Sequence, residues 1–164
     1  MIKNKNGVFG FFGKLCFAFL FFTMFMACTP SQEKPIEKPA SGIQGTWKLI
    51  TGTLIENGDT TIIEYTKDLS FIKIINETHF AFLNHDINHQ KDSIGVYSSG
   101  GGKYELVDSS YTEHLEYCSA REWENHDFNF TVVLKGDTLI QKGLEVVEET
   151  GVSRYNIEVY KKLQ

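Results

Sequence analysis

Short stretches of alternating apolar and polar residues follow one another along the chain from residue 42 to residue 164. Turn-forming residues separate these stretches, and no long stretch has apolar residues at helical spacing. The predicted strands are residues 45–55, 60–65, 71–75, 79–83, 94–97, 103–107, 111–118, 126–134, 138–141 and 153–162. The pattern therefore predicts an all-β domain of about eight to ten strands.

Tight turns join many of the predicted strands. Asn57-Gly58-Asp59 and Lys135-Gly136-Asp137 contain residues that accept positive φ, which suits short hairpins. Regular hairpins favour an antiparallel meander over the long crossovers of a Greek key. Because closing a meander removes its free edges, we predict an up-and-down barrel, with a β-sandwich as the alternative.

Some connections have a less regular composition. Ser98-Ser99-Gly100-Gly101-Gly102 predicts a glycine bulge or a flexible bend, and residues 84–93 predict a polar loop. Short helices are possible in residues 66–69 and 119–124.

The N-terminal region has a different pattern. Lys3, Lys5 and Lys14 are the only charged residues before Cys28, and the 13 residues from 15 to 27 are almost all apolar. A basic segment followed by a short apolar run is typical of a cleaved export signal. A membrane-spanning helix needs about 20 apolar residues, and Lys14 interrupts the longer run. We therefore expect residues 1–27 to be a signal peptide, with a retained membrane anchor as the alternative.

Cys28 determines which kind of signal this is. Phe25-Met26-Ala27-Cys28 resembles the bacterial lipobox, in which the cysteine thiol is acylated and becomes the new N-terminus. The lipobox usually begins with an aliphatic residue, and this chain has Phe25 there. The alternative is an ordinary cleaved signal with an incidental cysteine.

The residues after Cys28 favour lipidation. Residues 29–41 contain three prolines and little apolar surface, so they suit a spacer that cannot fold alone. We expect a lipid such as palmitate on Cys28, a tether over residues 28–41 and one folded domain over residues 42–164. The protein would then be held to a membrane of the bacterial cell envelope outside the cytoplasm, and we expect the outer membrane.

Charge and cysteine content narrow the classes of partner. The formal net charge is −5, and it becomes −8 when the three lysines of the signal are removed. Such an acidic domain repels phosphate backbones, so we expect no nucleic-acid partner. Cys118 is the one cysteine of the folded part and is expected to pack as a small apolar side chain. It can form no internal disulfide there.

The first predicted strand contains Gly45-Thr46-Trp47, which resembles the Gly-any-Trp motif of lipocalins. Other segments resemble, in order and spacing, the small lipocalin-like domains common in Bacteroidetes, many of them predicted lipoproteins. These segments are Ile72-Lys73-Ile74-Ile75, Thr78-His79-Phe80, Gly101-Gly102-Lys103-Tyr104-Glu105-Leu106, Leu134-Lys135-Gly136-Asp137-Thr138-Leu139 and Glu158-Val159-Tyr160-Lys161-Lys162. The resemblance implies a calycin-type barrel with Trp47 at its closed end and a cavity for a ligand.

The chain departs from lipocalins proper in two respects. Lipocalins place an arginine of the last strand over the tryptophan, whereas here Arg154, Lys161 and Lys162 are all candidates. Lipocalins often contain a disulfide, which this chain cannot form. The bacterial family has no common activity, so the resemblance implies a fold and a cavity without naming a ligand.

One predicted strand carries the candidate ligand-binding residues. Tyr111, Glu113 and Tyr117 share a strand face, and Tyr104 lies on the preceding strand. Aromatic rings supply burial, while hydroxyls and a carboxylate fix orientation, as in typical cavity sites. We therefore predict a small-molecule site at the open end of the barrel. The alternative is that the tyrosines fill the barrel and that Glu113 is a structural carboxylate paired with Lys or Tyr.

Other candidates are weaker. His85, Asp86 and His89 lie close together in the polar loop, but their polar neighbours favour a solvated loop over a metal site. No hydrolase triad order, phosphate loop or dinucleotide signature is present in the sequence. We expect a binding protein for a small, partly apolar molecule, without catalysis, metal or cofactor. The alternative is a surface protein-interaction module with a filled barrel, and the sequence does not predict an oligomeric state.

Overall fold

The computed structural model describes residues 42–88 and 95–164, which form nine β-strands and two short 3₁₀ turns. The strands are β1 (Gly45–Glu56), β2 (Asp59–Glu64), β3 (Leu69–Ile75), β4 (His79–Asp86), β5 (Tyr97–Val107), β6 (Ser110–Cys118), β7 (His126–Lys135), β8 (Thr138–Val147) and β9 (Val152–Lys162). The 3₁₀ turns are Arg121–Trp123 and Glu148–Thr150. The predicted all-β class is confirmed, since strands follow one another along the described residues.

The strands form one antiparallel sheet that closes on itself. Each strand from β3 to β8 pairs with the strand that follows it, and β1 pairs with both β3 and β9. Eight strands therefore form a closed barrel, and the predicted up-and-down barrel is confirmed.

β2 is an additional strand at one end of the barrel. The first residues of β1, Gly45 to Lys48, pair with β3, whereas its second half, from Thr51 to Glu56, pairs with β2. The hairpin turn carries Asn57 at φ 51° and Gly58 at φ 88°, as the predicted turn requires. β2 consequently extends the wall of the barrel beyond the point where β1 and β3 separate.

Trp47 lies at the opposite end, where β1 begins. Its ring is fully buried, and its Nε1 donates a hydrogen bond of 2.7 Å to the Ile43 carbonyl. Of the three candidate cations, it is Lys162 whose Nζ lies over the Trp47 ring, 5.2 Å from its centroid. Gly45 has a φ of 137°, a backbone conformation that favours glycine, and the Lys162 side chain passes 2.8 Å from where a Cβ would be.

The structure corrects two details of the sequence prediction. The glycine-rich run, predicted as a bulge or a bend, is part of the continuous strand β5, and a bulge lies beside it, where the pairing of β5 with β6 shifts between Gly101 and Gly102. A Cβ on Gly100 would lie 2.6 Å from the Phe82 ring. Glycine is used there because neighbouring strands and side chains pack closely against it. The polar segment predicted as a loop from residue 84 begins as strand, since β4 continues to Asp86.

Some sequence predictions fall outside the described residues. These are the signal peptide, the lipidation of Cys28 and the tether over residues 28–41. Among the residues that the structure does describe, no helix is long and apolar enough to cross a membrane.

Candidate functional site

A cavity of about 340 Å³ lies inside the barrel, away from the Trp47 end. Its wall includes Gly52 and Leu54 from the second half of β1 and Arg154 from the start of β9. Exposed Ala120 also lines it, just before the 3₁₀ turn Arg121–Trp123. The cavity therefore opens to solvent at the end of the barrel where β2 and this turn are located. We call this end of the barrel the open end. The opposite end, where Trp47 lies, is called the closed end.

Aromatic rings form much of the cavity wall. Phe71 of β3 and Phe82 of β4 stack with their ring centroids 5.7 Å apart, and Tyr65 meets Phe71 edge to face at the same distance. On the other side, Trp123 packs against Phe128 of β7, with centroids 5.7 Å apart. These rings give the cavity the apolar surface that favours burial of a hydrocarbon or aromatic ligand.

A buried ion pair separates the cavity from the core of the closed end. Lys73 of β3 is 2% exposed, and its Nζ donates to the Glu113 carboxylate and, over 2.8 Å, to Gln141 Oε1. The same ammonium group lies 5.4 to 5.7 Å from the ring centroids of Phe80, Tyr111 and Tyr160. Buried ions need such complete pairing because they have lost their hydration.

A second ion pair lies nearer the open end. Arg154 Nε donates over 2.7 Å to Glu145 Oε2, and Asn156 Nδ2 donates over 2.9 Å to the other oxygen of the same carboxylate. The Arg154 guanidinium also lies over the Trp123 ring, 5.3 Å from its centroid. Both oxygens of Glu145 are thus occupied by protein donors.

Glu158 of β9 is the third carboxylate on the cavity wall. Its Oε2 accepts a hydrogen bond of 2.8 Å from the Tyr160 hydroxyl, and no ion pair joins it to any described residue. Burial raises the pKa of the Glu158 carboxyl above its ordinary value, and the charge of Lys73 opposes that rise. The carboxylates of Glu145 and Glu113 raise this pKa further.

The structure places the four predicted ligand-binding residues in different surroundings. Glu113 lines the cavity, where it pairs with Lys73 as the structural alternative expected. Tyr104 and Tyr111 lie nearer the closed end, with ring centroids 5.3 Å apart, and neither lines the cavity. The Tyr104 hydroxyl donates over 2.8 Å to the Asn76 carbonyl in the turn between β3 and β4.

Tyr111 is a core residue. Its side chain is fully buried, and its hydroxyl has no hydrogen-bond partner among the described residues. Burial and the nearby Glu113 carboxylate raise the pKa of this hydroxyl far above its ordinary value. The hydroxyl is therefore neutral at any physiological pH.

The prediction that Tyr117 shares a face with Tyr111 and Glu113 is wrong. A bulge interrupts the pairing of β5 with β6, since Gly101 pairs with Tyr117 while Gly102 pairs with Leu115. The extra residue reverses the alternation of side chains beyond that point. Tyr117 is consequently 68% exposed on the outer face, and Cys118 lines the cavity instead.

Four charged residues of the cavity wall were not predicted from the sequence: Lys73, Glu145, Arg154 and Glu158. A weak signal was present for Lys73, because it shares one strand face with the apolar residues Phe71 and Ile75. The other three lie on strands where polar residues occupy both faces. No alternation therefore marked them as inward.

The remaining candidate, the metal site, has no support within the described residues. No three His, Cys, Asp or Glu side chains of the described ranges are grouped to hold a metal ion, and His89 lies outside those ranges. In comparisons with known proteins, no family model and no curated protein matches the chain.

Proposed function

We propose that this protein binds a small, partly apolar molecule in the open end of its barrel and carries out no catalysis. The observation that carries the proposal is the cavity of about 340 Å³, since it combines aromatic walls with a few polar groups. Ligand pockets typically have volumes of about 300 to 1,000 Å³ and this same make-up. Barrels of eight strands are just wide enough to hold one small ligand.

The polar groups of the cavity support binding over acid–base chemistry. Glu113 is held by Lys73, and both oxygens of Glu145 are held by Arg154 and Asn156. Carboxylates fixed in this way maintain the shape of the wall. The proposed site is at the open end of the barrel and includes Glu113, as predicted from the sequence. Tyr104, Tyr111 and Tyr117 are not part of it, and other residues of the cavity wall take their place.

We further propose that the domain is a lipocalin-like lipoprotein held to a bacterial membrane through Cys28. The Phe25-Met26-Ala27-Cys28 segment and the proline-containing residues 29–41 support this proposal from the sequence. A tethered binding domain would hold its ligand close to the membrane surface outside the cytoplasm. Labelling with a radioactive or clickable fatty acid, with Cys28→Ala as the control, tests the attachment.

Two neighbouring isoleucines of β2 provide a matched test of the binding proposal. Ile63 lines the cavity, whereas Ile62 is 65% exposed on the opposite face. Ile63→Trp should fill the cavity, while Ile62→Trp adds the same side chain outside it. Native mass spectrometry of protein purified from its own host should detect a bound small molecule on the wild type and on Ile62→Trp only.

Two results would contradict the binding proposal. One is the absence of any bound molecule on the wild type, and the other is equal occupancy of both variants. Circular dichroism and thermal unfolding of both variants show that the barrel is intact.

A surface interaction module is the second candidate function. It is favoured by a shallow depression on the outer face, where exposed Leu83, Tyr97 and Tyr117 surround the glycine-rich part of β5. Exposed aromatic residues are enriched at protein interfaces. If Tyr97→Ser/Tyr117→Ser abolishes the protein's cellular role while Ile63→Trp does not, this second candidate is correct.

A further inference from the structure

The charges on the cavity wall do not balance. Among the described residues that line the cavity, Lys73 and Arg154 are the cations, and Glu113, Glu145 and Glu158 are the carboxylates. Each cation already has a carboxylate partner, Lys73 with Glu113 and Arg154 with Glu145. One carboxylate, Glu158, is therefore left without an ion-pair partner among the described residues.

The unbalanced carboxylate faces the space in which a ligand would lie. Glu158 is on the cavity wall, and its one hydrogen bond within the described residues, from Tyr160, occupies Oε2. Within the part of the chain that the structure describes, no donor reaches Oε1, and this oxygen is not among the fully buried atoms that lack a partner, so it is accessible from the cavity. This oxygen can accept a hydrogen bond from a ligand.

The surroundings of Glu158 suit an ammonium group. Glu158 pairs across the sheet with Gly52, and the Tyr65 ring occupies the place beside Gly52, 3.2 Å from where a Cβ would be. A cation held by Glu158 would therefore lie near an aromatic ring, which also attracts positive charge.

We propose that the ligand of the cavity carries a primary amine, which binds to Glu158 as an ammonium ion, on an aromatic or aliphatic body that packs against Phe71, Phe82 and Phe128. This inference rests on the proposed function, because it assumes that the cavity takes up a small molecule. It adds the chemical class of that molecule. The ligand charge completes the pairing that the protein leaves incomplete.

Three probes of nearly identical shape test the inference: 2-phenylethylamine, 2-phenylethanol and phenylacetate. Isothermal titration calorimetry with the intact folded protein at neutral pH should show the amine binding at least about tenfold more tightly than the alcohol, because charge-assisted hydrogen bonds are the stronger ones. Phenylacetate should bind more weakly than the alcohol, since it brings a second negative charge to Glu158.

Two variants connect the preference to one carboxylate. Glu158→Gln keeps the shape of the side chain, and it should reduce the preference for the amine over the alcohol to within about threefold. Glu64→Gln removes an exposed carboxylate of β2 that does not line the cavity, and it should leave the preference unchanged. Thermal unfolding of both variants serves as the folding control.

The outcomes separate this inference from the proposed function. Equal binding of amine and alcohol, tighter binding of phenylacetate, or an undiminished amine preference in Glu158→Gln would overturn the inference and leave a binding cavity in place. If none of the three probes binds, the inference is also wrong. The proposed function is then decided by native mass spectrometry of Ile63→Trp and Ile62→Trp, which depends on no chosen probe.

Discussion

The two ends of the barrel are built from the same strands but filled in opposite ways. At the closed end, Trp47 and Tyr111 are fully buried, and neither lines the cavity. At the open end, the same strands carry Arg154, Glu145 and other polar side chains around an open space. The closed end is the part that stabilises the fold, and the open end is the part available to a ligand.

The difference shows how one sheet serves two purposes. Along β9, the inward positions change from Tyr160 near the closed end to Glu158 and Asn156 in the middle and Arg154 at the open end. Buried apolar area at one end supplies the stability that allows the other end to keep unfavourable charges. Substitutions should therefore cost most at the closed end and least at the open end.

The two tryptophans of the chain give the largest expected contrast. Trp47→Ala removes a fully buried ring at the closed end and should lower the free energy of unfolding by about 3–5 kcal/mol. Trp123→Ala removes a half-buried ring at the open end and should cost about 1 kcal/mol. Urea titration followed by far-ultraviolet circular dichroism measures both.

Two results would contradict the expected difference between Trp47→Ala and Trp123→Ala. If Trp47→Ala costs less than about 1 kcal/mol, then Trp47 is not a core residue and the assignment of the closed end is wrong. A loss at Trp123 equal to that at Trp47 would remove the distinction between the two ends.

The buried pair between the two ends should give the next largest effect. Lys73→Met leaves the buried Glu113 carboxylate without its cation and should cost about 3 kcal/mol. The double variant Lys73→Met/Glu113→Leu removes both charges and should recover most of that loss, because neither ion is then left unpaired. Denaturant titration of the wild type, both single variants and the double variant gives the coupling energy.

A double variant as unstable as Lys73→Met alone would show that the two side chains contribute more than the neutralisation of each other's charge. It would then be needed for the packing of Phe80, Tyr111 and Tyr160 around it.

The ion pair at the open end should matter less for stability. The Arg154 side chain is 27% exposed, and solvent screens its attraction to Glu145. Arg154→Met should therefore cost at most about 1 kcal/mol. Thermal unfolding checks this expectation, and a loss as large as that of Lys73→Met would mean that the open end is as tightly packed as the middle of the barrel.

The smallest expected effect is a pH dependence that comes from Glu158. Its pKa is raised in the folded protein, so between the ordinary and the raised pKa the folded state binds more protons than the unfolded state. The contribution of Glu158 to stability therefore decreases as pH rises through that window. Lys73, Glu113, Glu145 and Tyr160 are the groups around it that set the pKa.

Glu158→Gln isolates the contribution of Glu158 to the pH dependence of stability, because glutamine does not titrate. The stability of the wild type relative to the variant should fall as pH rises above the ordinary pKa of a glutamate, about 4.3. Urea titrations of the ligand-free proteins across that range measure the difference. A difference that is constant or that increases with pH would contradict the raised pKa of half-buried Glu158.

The fold could be predicted from the sequence because the relevant signals are local. Turns such as Asn57-Gly58 and strands such as β7, in which Phe128 and Phe130 alternate with polar residues, specify the meander directly. The glycine run indicated a bulge at this place, but no residue of β6 marks that strand as the one carrying the extra residue, which reverses the side on which Tyr117 lies.

The site was only partly predictable for a related reason. Glu113 was identified because tyrosine and leucine flank it on one face. Its partner Lys73 lies 40 residues away in the chain, so the pairing depends on the closure of the barrel. Glu158 lies on a strand whose two faces both carry polar residues, and alternation could not show that it points inward.

The most direct test of the two-ended account is a nuclear magnetic resonance titration of ¹⁵N-labelled protein with 2-phenylethylamine. The account predicts that amide resonances change at Gly52, Trp123 and Glu158 on the cavity wall and stay fixed at Trp47 and Lys162. Changes that are largest at the closed end, changes confined to the outer face around Leu83, or no changes at all would contradict it.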